Sequence, residues 1–170
     1  PDQVYLWTNQ TFEGDIAIEY EFKSLKENGL SVLVAQASGM QHEDFMTDYP
    51  LRKSGSMRII WGENVRNYDW EYYREMDDIR HDTASHVLNK QPWGRQMAYQ
   101  SLPHRWENHV WHRLQFIQEG QRIRGTIDGV LIFDVIDDPL NQSGPTLNSG
   151  HVAIRCMWKT KLLVRNLKIY

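Results

Sequence analysis

The sequence predicts an all-β fold, a two-sheet antiparallel jelly-roll sandwich, on three observations. Apolar residues recur with a period of two in "GDIAIEYEFK", where Ile16, Ile18, Tyr20 and Phe22 alternate with Ala17, Glu19, Glu21 and Lys23. Asp128-Gly129 stands between two strand-like runs, the strongest short hairpin signal in the chain. No stretch of useful length carries the 3.6-residue apolar period of a helix.

The elements follow in order. "GDIAIEYEFK" is a half-buried strand, and "LSVLVAQ" from Leu30 to Gln36, apolar on both faces, is a central one. A polar, Pro-containing connection over 37–55 leads to "SMRIIWG". The ribbon "NYDWEYYREMDDIRH" spans 67–81, and a loop-rich region over 77–103 carries the fragments "HVLNK" and "RQMAYQS". "NHVWHRLQFIQEG", "QRIRGTI" and "VLIFDVID" form a meander with a Gly turn and the Asp-Gly turn between them. "GHVAIRCMW" and "KLLVRNLKIY" close the chain as two more strands. With 170 residues and no repeat or low-complexity tract, the sequence is expected to form one domain over 1–170.

Composition narrows the function. A formal net charge of −3 argues against a broad nucleic-acid or anionic-membrane footprint, so neither is expected as a partner. The single Cys156 excludes an internal disulfide framework, and its apolar setting marks an inert core thiol. Seven Trp and eight Tyr suit a surface that meets an amphipathic ligand, and equally a β-rich core. Phosphate-binding loops, dinucleotide fingerprints, zinc-protease helices and paired Cys ligands are missing, and no cofactor is expected. His109 and His112 would point to opposite faces of a strand, so no metal is expected either. The chain opens at Pro1 rather than Met, which leads to the expectation that a preceding segment has been removed.

Candidate site residues emerge face by face. Extended geometry in the ribbon puts Tyr68, Trp70, Tyr72 and Arg74 on one side and Asp69, Glu71, Tyr73 and Glu75 on the other. The ring-bearing face either fills the core or lines an open groove. Arg74 at its end favours the groove, because a buried guanidinium must find a partner; it could instead pair with a neighbouring carboxylate at a sheet edge. In "GHVAIRCMW", His151, Ala153, Arg155 and Met157 share one face, while Val152, Ile154, Cys156 and Trp158 form the core face. A cleft holding an anionic ligand accounts for His151 and Arg155 in a sheet interior, with Gln36 supplying a neutral amide.

Sugar rings stack on Tyr or Trp, and a uronate carboxylate is matched by Arg. The expectation is therefore an acidic oligosaccharide as ligand, with β-elimination or dehydration at a uronate. Tyr72 or His86 would act as base or acid, and Arg74 and Arg155 would clamp the acid over a floor of Trp70 and Tyr72, with Tyr68 a further substrate contact. Glycoside hydrolysis instead needs two carboxylates across a bond, and Glu71 and Glu75 stand roughly 13 Å apart by strand rise. A hydrolase would draw its pair from Glu19, Asp69, Glu71 and Glu107. A non-catalytic sugar-binding module would use the same rings and clamps without a titrating His. A structural accessory domain would pack the ribbon on a partner as an edge strand.

The order of "LWTNQTFEGDIAIEYEF", "GLSVLVAQASGMQHEDF", "YYRE", "LNK", "RIRGTIDGVLIFDV" and "GHVAIRCM" resembles the YesU-like family of bacterial domains of unknown function. The resemblance implies a concanavalin A-like lectin/glucanase fold and covers nearly the whole chain from Leu6 to Tyr170. It also implies a further N-terminal strand that this sequence lacks. Tyr72 and Arg74 match the family's Tyr-x-Arg, and Arg155 falls in its Gly-x-x-Arg-x-Met-like strand. Lys90 matches the end of its Leu-Arg-Lys step, where this chain has Asn89 in place of Arg; both join the expected substrate contacts. A role in bacterial degradation of acidic polysaccharides is implied, in the cytoplasm or the periplasm, with oligomeric state left open.

Overall fold

The computed structural model describes residues 3–26, 29–49, 64–75, 86–92, 94–100, 107–140, 144–157 and 159–170. Twelve strands lie among them: β1 Gln3–Trp7, β2 Phe12–Glu13, β3 Ile16–Ser24, β4 Gly29–Gly39, β5 Val65–Glu75, β6 His86–Gln91, β7 Arg95–Gln100, β8 His112–Glu119, β9 Arg122–Ile127, β10 Val130–Ile136, β11 Ser149–Met157 and β12 Leu162–Ile169. They form two antiparallel sheets. One holds seven strands in the order β1-β11-β4-β5-β6-β7 with β2 paired to β11, and the other holds five in the order β10-β9-β8-β3-β12. The all-β sandwich expected from the periodicity is the observed architecture.

Alternation decides what is buried. In β3, Ile16, Ile18, Tyr20 and Phe22 point inward with 0–2% exposure, while Ala17, Glu19, Glu21 and Lys23 are only half-buried. They meet Leu114 and Phe116 of β8, Ile123 and Ile127 of β9 and, from the facing sheet, Leu33, Tyr68, Trp70, Tyr72, Leu88, Val152 and Ile154. The β9–β10 hairpin turns at Asp128-Gly129, both with positive φ (51° and 78°), the backbone of the tight turn expected there.

Several elements differ from expectation. The fragments in the region assigned to loops are strands β6 and β7, paired to each other and to β5. Their short runs carry Asn, Lys and Gln, which mask the alternation. β1, which pairs along β11, has no counterpart among the strands expected from periodicity. "SMRIIWG", Trp158 and the ribbon beyond Glu75 lie outside the described residues. Cys156 is half-buried and burial pushes its thiol up, as suits an unreactive group.

Candidate functional site

β5 runs through the middle of the seven-stranded sheet, and its two faces carry different chemistry. The rings of Tyr68, Trp70 and Tyr72 point between the sheets, each 0% exposed. Trp70 meets Phe133 edge-on at 4.8 Å, and Tyr72 lies 4.9 Å from Phe22 and 6.2 Å from Tyr20. They fill the core, so the groove floor expected of this face is not what they form. The reason is area: three rings bury far more apolar surface facing the second sheet than facing outward. His86 of β6 lies on the same inner side, 2% exposed, its ring 6.2 Å from Trp70. Burial pushes the Tyr72 hydroxyl far above its ordinary value. Neither Tyr72 nor His86 offers a surface on which a sugar could lie. The side chain of Arg74 lies outside the described residues.

Lys90 also points inward and is fully buried. Its ammonium donates to both carboxylate oxygens of Asp137, each at 2.8 Å, and to the Gly144 carbonyl at 2.9 Å. The Tyr68 hydroxyl donates to the same carboxylate and accepts from the Leu147 N–H at 3.0 Å. This network ties the chain after β10 to the interior of the seven-stranded sheet. Lys90 thus has an internal anion as its partner and not a ligand.

The opposite face of β5 carries Asp69 and Glu71. Strand register lays this outer face out in rungs. One rung runs Tyr5, Arg155, Val32, Glu71, Val87, Tyr99; the next runs Trp7, Ala153, Val34, Asp69, Asn89, Gln96. Asp69 is 2% exposed and accepts from Gln91 Nε2 at 3.0 Å and Asn89 Nδ2 at 3.3 Å. Glu71 and Asn89 are half-buried. The two carboxylates stand two residues apart on one strand face, about 7 Å by strand rise. That lies in the range over which paired carboxyl groups flank a glycosidic bond. Burial first, and the Glu71 charge second, push the Asp69 carboxyl well above its ordinary value, against the pull of Gln91, Asn89 and Arg155. The pair therefore holds one carboxyl group biased toward its acid form beside a second carboxylate. The D-x-E pattern is plain in the sequence, but the expected groove turns its face away from the site.

Arg155 lies on this outer face, 2% exposed, with its guanidinium 5.4 Å from the centre of the Tyr5 ring. Burial lowers its pKa, while Tyr5, Asp69 and Glu71 act to raise it. At 2% exposure and beside the protein's own acidic pair, it does not present the open guanidinium expected of a uronate clamp. His151 does not converge with it. Four residues along the strand, about 13 Å away, the His151 ring sits between the Thr8 carbonyl (Nδ1, 3.0 Å) and Asp44 (Nε2, 2.8 Å) and against Phe45. Gln36, at positive φ and fully buried, donates to the Gly14 carbonyl at 3.0 Å and braces a turn. Of the expected substrate contacts, Asn89 and Arg155 share the outer face with the carboxylates; Tyr68, Trp70, Tyr72, His86 and Lys90 face the core. Among the described residues no group of three or more His, Cys, Asp or Glu is arranged to hold a metal.

The raised Asp69 pKa has a signed consequence for stability. Between the ordinary carboxylate pKa and its own higher value, folded Asp69 keeps a proton that the unfolded chain has released. Its contribution therefore falls as pH rises from the ordinary carboxylate range toward that higher value. Glu19, Glu21 and Asp134 work in the opposite sense: hydrogen bonds from Arg113, Arg165 and Arg122 hold them low, so their contribution is lost as pH falls through those depressed values. Asp69→Asn is expected to flatten the descending limb and to stabilise the protein at neutral pH, which chemical denaturation across a pH series reads directly. A descending limb unchanged by Asp69→Asn would show that this carboxyl group is not its source.

Comparison with known proteins places the chain. A family model described as "Domain of unknown function (DUF1961)" matches residues 1–169. The uncharacterized protein YesU of Bacillus subtilis is 21% identical over 168 residues, covering 96% of this chain and 75% of that protein. A crystal structure of a protein of unknown function with galectin-like fold from Bacillus subtilis superposes with a TM-score of 0.88 at 20% identity, covering 99% of this chain and 77% of that one. The carbohydrate binding module CBM66 from Bacillus subtilis superposes at 0.61 with 13% identity, covering 99% and 81%. At these identities the structural likeness establishes the fold.

Proposed function

The chain belongs to the DUF1961 family, and we propose that it binds a saccharide on the outer face of its seven-stranded sheet and hydrolyses a glycosidic bond there. The observation that carries this is the outward-facing Asp69 and Glu71 pair, braced by Asn89 and Gln91. The likeness to a carbohydrate binding module supports a saccharide as the ligand class. In this scheme protonated Asp69 donates to the bridging oxygen as the bond from that oxygen to the anomeric carbon breaks. Glu71 takes a proton from the water whose oxygen bonds to the anomeric carbon. Proton exchange with solvent then restores both groups.

Elimination at a uronate would use a base, and the residues expected for it, Tyr72 and His86, face the core. Hydrolysis uses groups on the other face of the sheet, the half-buried Glu71 and the 2% exposed Asp69. A saccharide panel containing both neutral and uronate members, assayed in parallel for new reducing ends and for unsaturated-uronate absorbance, separates the two. Reducing ends without absorbance are expected; a rise in absorbance would sink the hydrolytic assignment. Tyr72→Phe serves as the internal control. It removes one core hydroxyl, costs about 1 kcal/mol of stability and is expected to leave turnover within about twofold, whereas its use as the base would make the loss on the order of a hundredfold or more.

A further inference from the structure

The edge strands of the two sheets are not alike. The ladders of β7, β10 and β12 are each interrupted by a shift in register, and these strands carry charge: Arg95 on β7, Asp134 on β10, Arg165 and Lys168 on β12. Bulges and charges are what keep an open strand edge from pairing with another chain. β1, "QVYLW", has neither: it is uncharged, and all five of its residues pair with β11 without a shift. Among the described residues its other side is unpaired. The Thr8 N–H donates to the Val152 carbonyl at 2.9 Å. By alternation Val4 and Leu6 also turn their backbone groups to β11, while Tyr5 and Trp7 present theirs to the open edge.

The side chains agree with the backbone. Val4 and Leu6 pair with Cys156 and Ile154 on the face that elsewhere packs between the sheets, yet they are 57% and 63% exposed. β12 is the last strand of the facing sheet, and its Leu167 and Ile169 join Leu6, Phe12 and Ile154 around a groove of about 640 Å³. Open apolar surface beside an unprotected strand edge marks an interaction site. We propose that β1 pairs with β1 of a second copy of this chain, antiparallel about a twofold axis through Tyr5. Tyr5 is the middle of the strand, so only this register pairs all five residues: Gln3 with Trp7, Val4 with Leu6, and Tyr5 with its own copy. Val4 of one protomer then lies beside Leu6 of its partner at the mouth of the groove, and the seven-stranded sheet continues across the axis. The lack of charge is what admits a second copy here. A twofold axis along β12 would instead bring Arg165 and Lys168 toward their own copies, and like charges across a strand pair destabilise it.

The test is the mass of the full chain in solution, read by sedimentation or light scattering over a wide range of concentration. A mass of two chains is expected at the upper end. Leu6→Lys should weaken association about tenfold or more while keeping the circular dichroism of the folded chain, because Leu6 is largely exposed. Leu163→Lys, at a position 42% exposed on β12, should leave association unchanged. Tyr5→Cys lies on the axis and should cross-link to its own copy when oxidised with diamide, whereas Leu163→Cys should not. A mass of one chain at every concentration would overturn the inference and leave the β1 edge to a strand of another protein. A dimer that Leu163→Lys dissociates and Leu6→Lys leaves intact would also overturn it, as would a dimer in which Tyr5→Cys fails to cross-link.

Discussion

Lys90→Met is expected to lower the free energy of unfolding by about 3–5 kcal/mol, the usual cost of removing one partner from a buried ion pair. Lys90 and Asp137 are both 0% exposed, and the ammonium holds both oxygens of the carboxylate. Without it, Asp137 retains the Tyr68 hydroxyl and faces an interior that solvates a charge poorly. The methionine stem fills most of the lysine's volume, so the loss reports the abandoned charge and not a cavity. Domains of this size are stable by about 5–15 kcal/mol, so the variant would populate unfolded states at modest denaturant. Denaturant midpoints read the effect. Lys90→Met combined with Asp137→Leu should recover part of the loss, because the pair is then removed whole. A loss below about 1 kcal/mol for Lys90→Met would mean that the pair behaves as an exposed one.

Glu71→Gln is expected to abolish hydrolysis to within detection, a fall in kcat of about 10²–10⁴ with saccharide affinity kept within a few-fold. The amide preserves shape and hydrogen-bonding capacity but cannot take a proton from water. Removing this charge also removes one of the two influences that raise the Asp69 pKa, the larger being burial. Asp69 in Glu71→Gln should therefore titrate lower than in the wild type, and the descending limb of its stability profile should shift toward lower pH. In the wild type, activity should fall as pH rises through the Asp69 pKa, since the proton donor is then lost. Retained turnover in Glu71→Gln would place the chemistry elsewhere on the molecule.

The architecture is legible in the sequence because alternation is a property of single strands. β3, β4 and the β8–β9–β10 meander can be read from period and turn chemistry alone. The orientation of β5 cannot, for a physical reason. Both of its faces carry large side chains, and a period of two says that the faces differ without saying which one meets the second sheet. The ion-pairing requirement of Arg74 at the strand end competes with the burial of Tyr68, Trp70 and Tyr72, and burial decides the outcome. Lys90 shows the same limit. Its partner Asp137 lies 47 residues away in sequence, and only the folded chain brings the two together. Asn89, Asp69 and Glu71 are within reach of the sequence, since once β5 is turned over they fall on one face.

The proposed saccharide chemistry belongs to the outer face of the seven-stranded sheet. Amide and side-chain NMR shifts, followed while the panel's tightest-binding saccharide is titrated in, test it most directly. Shifts are expected to concentrate at Asp69, Glu71, Asn89 and Gln91, with Glu19, Arg113 and Lys168 of the five-stranded sheet silent. Shifts gathered at Glu19, Arg113 and Lys168, or along Leu6, Phe12 and Leu167, would contradict it.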